Sequence, residues 1–177
     1  MIIDLAESLS KRNFSEDLTI SFDRDVLHIM SEDYPILKKE PFEFHFVNEE
    51  NRRLYVHAEG ELQVAIPCDR CLRRTRVPFS LVIDRILRLS DGMIVIPEEE
   101  SDTLAYPADG HSIDCDILVF DEILVNWPAK VLCRDDCKGL CPVCGQNLND
   151  KDCGHDRFVP DPRMAGIQDL FQNFKEV

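Results

Sequence analysis

The first ninety residues alternate apolar and polar side chains with a period of two, which is typical of half-buried strands. Turn-forming residues separate the alternating segments at 23–25, Pro35, 48–51 and Gly60. Short connections of this kind favour antiparallel pairing. The expected strands cover Leu18–Asp23, Val26–Met30, Phe42–Val47, Leu54–Gly60, Leu62–Cys68 and Arg76 to about Leu89. The pattern predicts a mainly antiparallel β-sheet or a barrel-like core.

The period changes in the segment DCDILVFDEILVNWP, which predicts a mid-chain helix. Asp114 is a suitable N-cap residue, and Pro128 ends the helical pattern. At a spacing of 3.6 residues, the expected apolar face comprises Ile117, Phe120, Leu124 and Trp127. This helix makes the fold class α+β.

A second helix is predicted at the C-terminal end, where Asp161 can act as N-cap and Pro162 as first helical residue. Its apolar stripe contains Ile167, Leu170, Phe171 and Phe174. Such an amphipathic helix either packs on the chain's own sheet or docks on a partner. The expected organisation is a β-rich core domain over 1–130, a zinc-binding cysteine-rich segment over 131–160, and the helix over 161–177.

The chain is strongly acidic, with a formal net charge of −14 over 177 residues. Ten acidic residues and no Lys or Arg lie between Leu89 and Ala129, and the first part of this segment, 97–110, is predicted to be an exposed loop. Such a charge disfavours non-specific binding of nucleic acid and favours a basic partner. No apolar run is long enough to span a membrane, and the N-terminus lacks the apolar region of a signal peptide. We therefore expect a cytoplasmic protein whose thiols are reduced.

The C-terminal cysteines are expected to form a zinc-knuckle-like structural site. The stretch CPVCG offers Cys141 and Cys144 from one tight turn, with Gly145 allowing the backbone to curl toward the ion. Two further ligands come from Cys133, Cys137 and Cys153, with His155 in reserve. The alternative is that these thiols are free or paired in disulfides.

Cys68 and Cys71 form a separate CxxC, for which three interpretations remain open. The pair is a redox dithiol, or it joins Cys115 and a C-terminal thiol in a second metal site, or it only ends a strand. A redox motif normally opens a helix within a βαβ unit, and this pair follows a strand in an all-β stretch. The redox interpretation is therefore the least favoured.

Arginines are concentrated around this CxxC, and guanidinium groups suit bidentate phosphate recognition. The candidate RNA or phosphate contacts are Arg70, Arg73, Arg74 and Arg76, followed by Arg85 and Arg88. The alternative is pairing with the chain's own carboxylates. No GxSxG, HExxH or Walker sequence is present, so we expect no catalytic residues and no small-molecule substrate.

Four ordered motifs resemble those of the YceD-type family, the large ribosomal RNA subunit accumulation proteins. They are CDRCL, DEILVNWP, CKGLCPVCGQNLN and DPRMAGIQDLF. The resemblance implies a role in accumulation or processing of large-subunit ribosomal RNA. Since no enzyme motif is present, we expect a non-enzymatic factor. Its acidic 89–129 segment would hold a basic ribosomal protein, or its Arg70–Arg88 patch would contact that RNA. Related cysteine-rich inserts tend to end in CxC, whereas this chain has Cys153-Gly-His155. The alternative function is a metal- or thiol-dependent enzyme acting on ribosomal RNA or ribosomal proteins.

Overall fold

Most of the alternating segments form strands that pair with their neighbours along the chain. The computed structural model describes residues 1–95 and 108–155. Within these ranges the elements are β1 (Ile2–Asp4), α1 (Ala6–Leu9), β2 (Ser15–Ile20), β3 (Val26–Ile29), β4 (Glu32–Lys39), β5 (Phe42–Glu49), β6 (Arg53–Pro67), β7 (Arg74–Ser90), β8 (Met93–Val95), β9 (Ala108–Asp109), β10 (Ser112–Asp114) and α2 (Cys115–Val125). The mainly antiparallel β-sheet is confirmed.

The long strand β6 organises the larger sheet. One of its edges pairs with β7 from Arg53 to Pro67. Its other edge pairs first with β5 and then with β4. Among the described strands, β2 and β3 each pair with a single neighbour, so the sheet stays open. The barrel-like expectation is therefore wrong, because closure requires every edge strand to find a second partner.

Alternate residues of β5, β6 and β7 form the core face of this sheet. In β5, Phe42, Phe44 and Phe46 are buried while the residues between them are exposed or half-buried. The turn between β5 and β6 includes Glu50 and Asn51, both with positive φ, which is typical of tight hairpin turns. This confirms the predicted turn over 48–51.

Two predicted turns are wrong. Gly60 lies inside β6. Glycine is needed there because a Cβ atom would stand 2.3 Å from Cδ1 of Phe42, and only glycine leaves room for that ring. Pro35 lies inside β4, at the last pair with β3, and pairing with β6 begins at Ile36. The missing N–H of Pro35 therefore falls where β4 changes partners.

The mid-chain helix is confirmed as α2, and the side chain of Asp114 accepts a hydrogen bond from the amide of Asp116. The predicted face is partly wrong, since Leu124 is 39% exposed. The helix is apolar on most sides, so spacing alone does not select the packed face. The buried residues are Cys115, Leu118, Val119 and Ile123, with Phe120 and Trp127 partly buried against the same core.

The described chain divides into two compact units. The first contains Met1–Pro67 and Arg74–Val131, and the second contains Cys68–Arg73 with the described residues from Leu132 onward. The second unit, here called the cysteine-rich unit, therefore takes the six residues that link β6 to β7. The predicted C-terminal helix, and residues 96–107 of the acidic segment, lie outside the described residues. In the part of the chain that is described, no helix has the length and apolarity to cross a bilayer.

Candidate metal centres in the cysteine-rich unit

Eight potential ligands assemble into two groups in the described part of the cysteine-rich unit. The four-cysteine group consists of Cys68, Cys71, Cys133 and Cys137, and the cysteine-histidine group consists of Cys141, Cys144, Cys153 and His155. In each group the ligand atoms all lie within 4.8 Å of one another. Sulfur and imidazole donors in fours are typical of structural zinc sites. Both groups can hold a metal ion.

Each group is built on a CxxC knuckle. In the first knuckle, the amide of Leu72 donates to the carbonyl of Cys68 at 2.9 Å, and the amide of Cys68 donates to the carbonyl of Arg73 at the same distance. These two bonds close six residues into a loop in which both cysteines are buried. Backbone hydrogen bonds at both ends of the CxxC thus define the fold of this loop.

The second knuckle repeats this pattern of hydrogen bonds. The amide of Gly145 donates to the carbonyl of Cys141 at 2.8 Å, and the amide of Cys141 donates to the carbonyl of Gln146 at 2.8 Å. The residue after the second cysteine has positive φ in both knuckles, 58° at Leu72 and 71° at Gly145. Glycine adopts this conformation freely, whereas leucine is strained in it. The two knuckles thus share one backbone geometry, but only the second has a glycine at the position with positive φ.

Backbone amides point at the first sulfur of each knuckle. Burial raises the pKa of Cys68, but amides including those of Arg70 and Cys71 outweigh it and lower the pKa to about 6. At Cys141, the amides of Cys144 and Val143 likewise lower the pKa to about 6. The thiolate is the form that binds metal, and both knuckles favour it.

The remaining thiols of the four-cysteine group show the cost of bringing several sulfurs together. Burial and the neighbouring thiols raise the pKa of Cys133 to about 12. Without a cation, the group cannot ionise fully because the thiolates repel one another. A divalent ion reverses this balance, since coordination deprotonates thiols.

The sulfur separations fit a tetrahedral ion. The Sγ atoms of Cys68 and Cys137 are 3.8 Å apart, and those of Cys71 and Cys133 are 3.6 Å apart. Zinc–sulfur bonds of about 2.3 Å place two thiolates of a tetrahedron roughly 3.8 Å apart. All eight cysteines are free, and these separations are too long for disulfide bonds.

The four-cysteine group has a shell of hydrogen bonds around it. The side-chain amide of Asn149 donates to Sγ of Cys137 at 3.3 Å. Nη1 of Arg70 donates to the carbonyl of Cys137 at 2.8 Å, and the amide of Leu140 donates to the carbonyl of Arg70 at 3.1 Å. Gly139 has a φ of 78°, and a Cβ atom there would lie 3.0 Å from the Arg70 carbonyl. These contacts hold the two halves of the group together.

From the sequence alone, Cys133, Cys137 and Cys153 form one pool of ligands for Cys141 and Cys144. The structure divides them: Cys133 and Cys137 join Cys68 and Cys71, while Cys153 and His155 join the CPVCG knuckle. His155 Nδ1 lies 4.0 Å from Sγ of Cys141.

Cys115 is in neither group, contrary to one expectation for the Cys68/Cys71 pair. It starts α2 and is buried in the core of the first unit, where burial raises its pKa to about 12. The sequence does contain a signal for two sites, namely the repeated CxxC. Each copy needs two more ligands, which the pairs Cys133/Cys137 and Cys153/His155 supply.

The predicted arginine contacts fall into two kinds. Arg70 is bound to the Cys137 carbonyl, and Arg73 forms an ion pair with Asp150 at 2.8 Å. Arg74 and Arg76 are exposed on β7, and neither forms an ion pair with a described residue.

The other two arginines of the patch also lie on β7. Arg85 pairs with Glu122 at 3.2 Å, while Arg88 is exposed. Internal pairing therefore accounts for part of the patch.

Comparison with known proteins identifies the family. The chain is 29% identical over 103 residues to an uncharacterized protein of Mycobacterium leprae, covering 58% of this chain and 46% of that protein. Uncharacterized proteins of Mycobacterium bovis and Mycobacterium tuberculosis are 30% identical over 103 residues, covering 58% of this chain and 48% of theirs. The chain thus spans about half the length of these curated relatives, and no solved structure matches it significantly. Residues 56–171, more than half of the chain, match the family described as "Large ribosomal RNA subunit accumulation protein YceD". The chain therefore belongs to the YceD family.

Proposed function

We propose that this protein supports the accumulation of large-subunit ribosomal RNA as a non-enzymatic factor whose cysteine-rich unit is held together by zinc. The observation that carries the role is the family match over residues 56–171. The number of ligands in each group supports a structural rather than a catalytic role for the metal. Each ligand group supplies four protein donors, and a site with four protein ligands leaves no open position for a substrate.

Zinc is the metal that best fits the donors. Thiolate and imidazole ligands in tetrahedral fours are typical of structural zinc sites, and a reduced compartment leaves the thiols available. Both groups are proposed to bind one ion each, which revises the single ion expected from the CPVCG segment. The zinc ions would stabilise a unit with few apolar residues rather than carry chemistry.

Two partner classes fit this role, large-subunit ribosomal RNA and a basic ribosomal protein. The exposed Arg74 and Arg76 favour contact with RNA phosphates, because neither is engaged by a described carboxylate. The net charge of −14 requires that such contact be local rather than driven by the whole surface. The cytoplasm is the expected location, since thiols stay reduced there and remain available to a metal.

The role is tested by deleting the gene and measuring the ratio of large- to small-subunit ribosomal RNA. We expect the ratio to fall and to recover with the wild-type chain. Cys71→Ala should not restore it, because it removes a ligand of the four-cysteine group, whereas Cys115→Ala should restore it. An unchanged ratio in the deletion strain would overturn the proposal.

The partner is tested by crosslinked pull-down with and without ribonuclease. An RNA partner should be lost from the Arg74→Ala/Arg76→Ala variant. The matched control is Lys38→Ala/Lys39→Ala, since these lysines already pair with Glu40 and Asp25. Recovery of a basic ribosomal protein that resists ribonuclease would instead indicate a protein partner.

The enzyme alternative makes a different prediction. If Cys68 and Cys71 act as a catalytic dithiol, replacing both with Ser should abolish function while zinc content and fold remain intact. On the present proposal, the same replacement removes one zinc ion per chain. Metal analysis of the purified variant separates the two cases.

A further inference from the structure

The two ligand groups are shielded to different degrees. In the four-cysteine group, Cys68, Cys71 and Cys137 are 0%, 5% and 3% exposed, and Cys133 is half-buried. In the cysteine-histidine group only Cys141 is buried; Cys153 is half-buried, and Cys144 and His155 are exposed. The second group therefore presents two of its four donors to solvent.

The groups also differ in their outer contacts. Sγ of Cys137 accepts from the Asn149 side chain, and the carbonyl of the same residue accepts from Arg70. Among the described residues, no side chain outside the cysteine-histidine group donates a comparable bond to Cys144 or His155. Outer contacts of this kind hold a ligand in place and change metal affinity by about 10–100-fold.

Exposure determines how a bound ion leaves. Exchange begins when one ligand detaches and a water molecule or an incoming donor takes its place. A buried thiolate held by outer contacts reattaches before a competitor arrives, whereas an exposed thiolate or imidazole leaves the ion open to attack.

The ligands of the two groups are also spread differently along the chain. The ligands of the cysteine-histidine group span Cys141 to His155, a separation of 14 positions. The four-cysteine group instead joins ligands 69 positions apart.

We propose that the cysteine-histidine group is an exchangeable zinc site that equilibrates with the surrounding zinc pool, while the four-cysteine group retains its ion. The inference rests on the zinc binding proposed above. It gives the two ions separate roles: one joins segments that are far apart in the sequence, and the other makes the order of the CPVCG knuckle depend on available zinc.

The test uses the full chain, purified under reducing conditions and loaded with Zn²⁺ alone. Release is followed with a colorimetric zinc chelator in excess. We expect two zinc ions per chain that leave in two phases of equal amplitude, the fast phase at least about tenfold faster than the slow one. The Cys144→Ser variant should lose the fast phase and keep the slow one.

Further variants keep the test decisive. Cys133→Ser, matched in chemistry, should lose the slow phase. His155→Cys should slow the fast phase, because it replaces a neutral ligand by a thiolate at the same position. His155→Ala provides a second route to loss of the fast phase if Cys144→Ser does not fold.

The inference is overturned if both ions leave at one rate, if the fast phase survives in Cys144→Ser and His155→Ala, or if the loaded chain holds a single ion. Its failure is distinguishable from failure of the proposed function. The release kinetics do not involve ribosomal RNA, and the ratio of ribosomal RNAs in the deletion strain does not depend on how fast zinc exchanges.

Discussion

Removal of the metal should open the cysteine-rich unit while the β-sheet unit stays folded. The apolar cluster of the cysteine-rich unit is made largely of the ligands themselves. Cys68, Cys71 and Cys137 form its buried part, with Leu132, Cys133 and Leu140 packed against it, and Leu148 is buried nearby in sequence. The sheet unit has a separate core of more than twenty buried residues, so it does not need the ions.

Metal binding should stabilise the cysteine-rich unit more than apolar burial does. A fully buried leucine contributes about 1.5–3 kcal/mol, and Leu132 and Leu140 are only half-buried. A structural zinc ion contributes roughly 10–16 kcal/mol near neutral pH. The free energy lost with even one ion thus exceeds the stabilisation that the three leucines supply together. The hydrogen bonds of the knuckles cannot replace it, because water competes for them.

Hydrogen exchange with mass spectrometry measures this directly. After chelation, the amides of Leu72, Leu140, Cys141, Gly145 and Leu148, all hydrogen-bonded in the structure, should exchange at rates near those of an unfolded chain. Amides of β5 and of the paired part of β6 should keep their protection. Elemental analysis must confirm that the sample is free of metal. Full protection of residues 132–155 in that sample would refute the reasoning, because leucine packing and backbone bonds would then suffice.

Two further predictions concern the sheet. Gly60→Ala should lower the free energy of unfolding by about 1–3 kcal/mol in urea titrations, since its Cβ would stand 2.3 Å from the fully buried Phe42 ring. As a control, Glu61→Ala on an exposed neighbour should change this free energy by less than about 0.5 kcal/mol. Equal effects of the two substitutions would contradict the packing argument. The hydrogen bond that the His57 ring donates to the Asp84 carboxylate raises the pKa of His57, so this pair should stabilise the fold below about pH 6.5 and lose its effect as the pH rises through the raised pKa. Titration of the imidazole by NMR should give a lower midpoint in Asp84→Asn, and an unchanged midpoint would rule out that cause.

Local patterns were sufficient for the elements whose environment is regular. The alternation in β5 and β7 predicted which side chains face the core, because one face of each strand is buried and the other exposed. The Asp114 cap predicted the start of α2, because capping depends on a single side chain and the adjacent amides. Neither requires knowledge of distant residues.

Tertiary packing determined the elements that local sequence patterns do not reveal. Glycine is typical of turns, so Gly60 predicts one locally. Its place inside β6 is understood only from the Phe42 ring of the neighbouring strand, which occupies the space of a Cβ atom. The short pairing of β1 with β10 joins residues more than a hundred positions apart and leaves no periodic signal in three-residue strands.

The division of the metal ligands was missed because closeness in sequence favoured a different grouping. Cys133 and Cys137 lie close in sequence to Cys141 and Cys144, and spacing alone assigns them to one site. The turn between β6 and β7 brings Cys68 and Cys71 to them instead. The sequence identified the ligands, and the fold determined their partners.

The link between residues 68 and 137 has a consequence for synthesis of the protein. At about 5–20 residues per second, the thiols of Cys68 and Cys71 wait roughly 3–14 seconds before Cys137 is made, while the second group is complete within a short stretch. Closing the longer loop also costs about 1.4 kcal/mol more in chain entropy than closing the shorter one. The nascent chain therefore carries an unpaired dithiol through the formation of β7, β8 and α2. The four-cysteine group is therefore completed only after these elements have been synthesised.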